Sequence, residues 1–179
     1  MKKKKNICVY TIGHGTHSLP EFKAILKAYK INQLVDIRSI PKSRHNPQFN
    51  FDTFPSVLRA ARIGYRHAKE LGGLRRAKPD SINTAWENAS FRGFADYMQT
   101  EAFKIGIEKL IALASEKNVV IMCAESVPWR CHRSLIGDAL LARGIKVMDI
   151  YSSTNAKPHK RTPWARVRNK IVTYPGKIE

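Results

Sequence analysis

Acidic side chains are scarce in this chain. Fourteen Asp and Glu stand against 32 Lys and Arg in 179 residues, a formal net charge of +18. A balance so far to one side suggests an anionic partner, nucleic acid before membrane. Cysteine is scarcer still: three residues, an odd number, exclude the disulfide framework of a small secreted domain. Long apolar runs are missing. None approaches the ~18 residues of a membrane span, and the N-terminus lacks the apolar core of a signal peptide, so no membrane association and a cytoplasmic location are expected. There is no internal repeat and no coiled-coil heptad. The length suits one domain with a sizeable core and hardly two.

The positive charge is unevenly spread. Lys2–Lys5 carry +4, and residues 156–179 hold seven basic residues and Glu179, or +6. Residues 6–155 keep 21 basic and 13 acidic residues, or +8. This divides the chain into a basic N-terminal arm (1–5), a single α/β domain (6–155) and a basic C-terminal arm (156–179) without clean periodicity. Its stretch 156–170 contains one aromatic among basic residues, Trp164. Such tails are usually solvated and often meet anionic partners.

Within the domain the clearest stretch is 118–150. Val119–Met122 is an apolar run of the kind found in a strand covered on both faces. A loop follows Cys123, then Leu135, Ile136, Ala139 and Leu140 recur at helical spacing, and Ile145, Val147 and Ile150 resume as a strand. That is a βαβ unit. A second spans residues 7–38: an apolar strand Ile7–Ile12, a helix opened by the capping box Ser18-Leu19-Pro20-Glu21, and a strand Leu34–Arg38. Ile63–His67 reads as a third strand, and helices are expected up to Thr100 and around Ile107–Ala114, while residues 74–85 resist assignment. The expected architecture is a three-layer α/β fold, a mostly parallel sheet of about five strands flanked by helices.

Parallel sheets place ligands outside the carboxyl ends of their strands. Three strand ends here carry ionisable groups: His14 between two glycines, Asp36 with Arg38, and the eleven residues from Cys123 to Arg133. Cys123, Glu125, His14 and Asp36 are therefore the candidate catalytic groups. Arg38, Arg44, Arg130, Cys131, His132 and Arg133 are the candidate ligand-binding ones, with arginine suited to planar phosphate or carboxylate. Asp36 and Arg38 share a face and could equally form an internal ion pair. Cys123, before a helix and near two arginines, sits where a thiolate is favoured. The spacing differs from strand–Cys–loop–Arg–helix phosphatases and sulfurtransferases, because six residues rather than five separate Cys123 from Arg130. Cys123, Cys131, His132 and His14 also offer donors suited to a metal, but no C-x-x-C spacing pairs them, and no metal is assigned.

These stretches together are similar to a known family. Tyr10–Thr16 (YTIGHGT) with Phe22, Leu34–Arg38 (LVDIR) with Pro41 and Ser43-Arg44, Leu71-Gly72-Gly73, Met122–Glu125 (MCAE) and Cys131-His132-Arg133 resemble the domain-of-unknown-function 488 family over about residues 7–152. The resemblance implies a small prokaryotic-type α/β domain with a cysteine-bearing motif, matched at Cys123 and Cys131, and implies no activity. The expected function is an enzyme-like protein acting on a phosphate-bearing ligand, nucleic acid or a nucleotide. The rivals are sulfur, phosphoryl or redox transfer through Cys123, and a non-catalytic anion-binding module. The sequence singles out no cofactor and no oligomeric state.

Overall fold

The computed structural model describes residues 6–176; the Lys2–Lys5 arm lies outside them. The central sheet is built from β1 (Cys8–Gly13), β2 (Gln33–Asp36), β3 (Gly64–His67), β4 (Val119–Cys123), β5 (Lys146–Ser152) and β6 (Asn155–Pro158). Its order is β3-β2-β4-β1-β5-β6. The first five strands are mutually parallel, and β6 is antiparallel to β5. Five helices flank it: α1 (Leu19–Ala28), α2 (Phe54–Ala60), α3 (Ala89–Tyr97), α4 (Glu101–Glu116) and α5 (Arg133–Leu141). A small hairpin, β7 (Arg166–Arg168) with β8 (Ile171–Thr173), completes the fold.

β4 shows why the sheet is buried on both sides. Its side chains alternate, so Val119, Ile121 and Cys123 join the core beneath α3, α4 and α5, while Val120 and Met122 join Phe22, Leu26, Phe54 and Leu58 from α1 and α2. All five of its residues are buried. The three-layer expectation follows from that double burial. Helix α1 starts as its sequence dictates: Ser18 Oγ accepts from Glu21 N at 3.3 Å and Glu21 Oε2 accepts from Ser18 N at 2.9 Å. No helix among the described residues is long and apolar enough to cross a membrane.

The fold departs from expectation at the C-terminal end. Residues 156–176, read from sequence as an arm outside the domain, supply most of a sixth strand and the extra hairpin, and Ala165, Val172 and Tyr174 are in the core. What pins this segment is polar, which is why hydrophobic periodicity does not reveal it. His159 lies between two carboxylates, with Nδ1 2.8 Å from Asp149 Oδ2 and Nε2 3.2 Å from Asp138 Oδ1. Tyr174 donates its hydroxyl to Asp138 Oδ2 at 2.8 Å, and Thr11 donates to Asp149 Oδ1 at 2.7 Å. The unassigned stretch 74–85 is likewise held by one carboxylate: Asp96 accepts from Lys78 N, Ser81 Oγ and Asn83 Nδ2.

Burial opposes the charged form of His159, but the hydrogen bonds and charges of Asp138 and Asp149 outweigh it and push the imidazole up to about 9. Its folded-state value lies above the ordinary 6.5. The stabilisation is therefore fully present below about pH 6.5 and lost as pH rises through about 9. Urea unfolding between about pH 7 and about pH 10 should show this decline in the wild type and not in His159→Ala. That variant should also be weaker at neutral pH by about 3–5 kcal/mol, since it leaves buried carboxylates uncompensated. Equal pH slopes in the two chains would refute the lock.

Candidate functional site

The strand order decides which chain segments meet. β1 and β2 both neighbour β4, in a register that sets Gly13 beside Cys123 and Asp36 beside Met122. Pairing runs past the strand ends: His14 N donates to Cys123 O and Gly15 N to Ala124 O, both at 2.9 Å. The glycines make this approach possible. A Cβ on Gly13 would stand 1.7 Å from the carbonyl oxygen of Glu125, and Gly15 has φ +49°.

His14 is buried, 1% exposed, with its ring stacked on Phe49 at 4.4 Å. Its Nδ1 is 2.9 Å from Gly15 O. A carbonyl only accepts, so Nδ1 carries the proton and Nε2 presents its lone pair, 3.4 Å from Arg38 Nη1. Burial is the main reason the imidazole is lowered to about 4, with Arg38 adding to it against the Gly15 hydrogen bond. His14 is a neutral acceptor at physiological pH.

Asp36 and Arg38 form the internal ion pair that their alternation allows. Arg38 Nε and Nη2 meet Asp36 Oδ1 and Oδ2 at 2.9 and 2.6 Å, and Arg38 N and Tyr65 Oη also donate to the carboxylate. Nη2 donates further to Phe49 O at 2.7 Å. The carboxylate's lone pairs are thus engaged and Asp36 does not line the cleft; it holds Arg38 instead of acting as an acid or base. Tyr65 is pushed upward by burial and by Asp36.

The β4–α5 connection carries the rest. Arg133 is 1% exposed and donates to the carbonyls of Glu125 and Ser126. It braces this loop from inside and is not a ligand-binding arginine. His132 Nε2 lies 3.2 Å from Ile37 O and 3.0 Å from Leu71 O, so this nitrogen bears the proton. Its Nδ1 lone pair faces two sulfurs, Cys123 Sγ at 3.9 Å and Cys131 Sγ at 3.7 Å. Gly73 packs on the ring, where a Cβ would be 2.5 Å from Nδ1. The Cys131 thiol is held below the ordinary range because Cys123 donates to it, with the Arg133 charge adding to the effect. Cys123 is pushed up by that same donation and by burial.

These walls enclose a cleft of about 490 Å³ at the carboxyl edge of the sheet. Of the residues singled out from sequence, His14, Arg38, Cys123, Glu125, Arg130, Cys131 and His132 line it. Asp36 and Arg133 lie behind its walls, and exposed Arg44 is not part of the lining. The cleft also recruits Ser39, Lys42, Ser43, Ser90 and Phe91. Lys42 carried a visible signal, a cation in a long polar loop. Ser90 and Phe91 carried none, because only packing brings the start of α3 to this rim.

Fold and cleft define a parallel α/β domain whose strand ends gather a histidine, a buried arginine and a cysteine–histidine cluster. A family model described as Domain of unknown function DUF488 matches residues 18–140, and the chain belongs to that family. The match includes the β4–α5 connection and begins after His14. No curated protein and no solved structure matches the chain.

Because the cleft depends on the contact between residues 13–15 and 123–126, Gly13→Ala should destabilise the chain by about 3 kcal/mol or more, through an overlap that no rotamer change can relieve. Urea unfolding at neutral pH measures it. A variant as stable as wild type would mean that the two segments do not touch.

Proposed function

We propose that the protein is enzyme-like and takes a phosphate-bearing ligand, a nucleotide or a single strand of nucleic acid, into this cleft. The observation that carries the reading is a pair of cations on the lining, Lys42 and Arg130, which have no carboxylate partner among the described residues. Both are exposed and can neutralise phosphate, with arginine adding a planar donor fork. About 490 Å³ is the size of a small-ligand pocket. In this reading His14 Nε2 is the neutral proton acceptor and Glu125 the carboxylate at the rim.

A second cavity supports nucleic acid in particular. It has a volume of about 590 Å³ and is lined by Trp129, Trp164, Tyr151, Lys157 and Lys160 among others. The short turn Pro128–Arg130 separates the two: Arg130 lines the cleft, and Pro128 and Trp129 line the second cavity. Trp129 is 65% and Trp164 42% exposed. Trp86 Nε1, a buried donor without a partner among the described residues, belongs to the same wall. Exposed indoles beside lysines suit stacked bases and their phosphates.

The rivals fare less well on geometry. Transfer through Cys123 needs an accessible sulfur, whereas Cys123 is 8% and Cys131 3% exposed. A pocket filled by internal salt bridges would favour a pure binding module, and the Asp36–Arg38 pair leaves the cleft open.

Fluorescence anisotropy with a labelled single-stranded oligonucleotide tests the reading. Affinity should fall steeply between about 50 and about 500 mM salt, and each of Lys42→Ala and Arg130→Ala should reduce the log–log salt slope by about 0.7. Variants in the cleft separate this from binding by the Lys2–Lys5 tail. Absence of binding at low salt, or slopes unchanged in both variants, would reject the cleft as the anion site.

A further inference from the structure

We infer that Cys123, Cys131 and His132 form a metal site of the zinc class, a property independent of the phosphate-ligand reading. Their three donor atoms, Sγ, Sγ and Nδ1, all lie within 4.8 Å of one another. They come from two places: the end of β4, and the turn into α5 that supplies the adjacent Cys131 and His132.

The distances suit a shared metal. Nδ1 is nearly equidistant from the two sulfurs, at 3.9 and 3.7 Å. A tetrahedral zinc with Zn–S of about 2.3 Å and Zn–N of about 2.0–2.1 Å sets S···N edges near ~3.5 Å and S···S edges near ~3.8 Å. The two S···N distances are within a few tenths of an ångström of that edge.

The surroundings fit as well. The other nitrogen of His132 is fixed between Ile37 O and Leu71 O, the arrangement that orients a metal-ligating imidazole and raises its basicity. Two thiolates and an imidazole select zinc over magnesium or calcium, and the thiolates neutralise the dication beside the buried Arg133 guanidinium. Three protein ligands leave a fourth tetrahedral position, as catalytic rather than structural zinc sites do. All three ligands line the cleft, and so does Glu125. Cys8, at the start of β1 and absent from the cluster, serves as an internal control.

The test uses the full chain. Protein expressed with zinc and washed free of loose metal should carry about one zinc by mass spectrometry, and Cys123→Ser and Cys131→Ser should each fall below about a tenth of that while Cys8→Ser keeps it. Should those variants fold poorly, the wild type decides alone. Metal-stripped and reduced, it should gain the visible bands of tetrahedral cobalt on titration with Co²⁺. Wild-type protein that holds no zinc and develops no cobalt bands overturns the inference. So does zinc retained by both cysteine variants, or a Cys123–Cys131 disulfide whose reduction restores no metal uptake. Oligonucleotide binding measured on the same stripped protein shows separately whether the anion reading stands.

Discussion

The contact on which this structure depends is a flat backbone-to-backbone approach at the carboxyl edge of the sheet, where residues 13–15 lie against 123–126. Two hydrogen bonds extend the β1–β4 pairing beyond the strands, and the missing side chain at Gly13 lets the Glu125 carbonyl come close. Arg133 then holds that carbonyl and its neighbour from below. Without this approach Cys123 would have no fixed relation to His14. With it, both sit on the wall of one cleft.

Two histidines face that cleft in opposite senses, and backbone carbonyls determine both. Gly15 O takes the Nδ1 proton of His14 and leaves Nε2 toward Arg38, whereas Ile37 O and Leu71 O take the Nε2 proton of His132 and leave Nδ1 toward sulfur. The site therefore has one lone pair beside a guanidinium and another beside two thiols. The arginines divide in the same way. Arg38 and Arg133 are internal, one clamped by Asp36 and one spanning a loop, while Arg130 and Lys42 stay exposed on the lining. Buried guanidinium groups hold the frame, and exposed cations are left to meet an anion.

The C-terminal segment links that frame to its basic, aromatic neighbour. The charged His159 between Asp138 on α5 and Asp149 on β5 ties residues 155–176 to the helix that carries the cysteine turn. Lys157, Lys160 and Trp164 reach the second cavity because of that tie. A segment that looks like a solvated tail by composition is therefore a wall of the molecule.

Much of the fold was legible residue by residue. The unbroken run Val119–Met122 declared a strand buried on both faces, the Ser18–Glu21 box declared a helix start, and glycines around His14 declared a tight path at a strand end. Each is local, set by side-chain period, capping chemistry or allowed φ. The rule that parallel strands share a carboxyl edge then placed these strand ends together, where the cleft lies. Tertiary structure alone decided what depends on partners distant in sequence. Whether Asp36 was an acid or a clamp turned on Tyr65 and the Arg38 backbone, and Arg133 was internal because the 125–126 carbonyls faced it. The cysteine–histidine cluster matched no spacing rule, because its geometry comes from a strand end and a helix start folded back together, with Ile37 and Leu71 turning the ring between them. Sequence spacing constrains donors within one local turn. Across a loop braced by packing and a buried charge, only the assembled chain sets the distance.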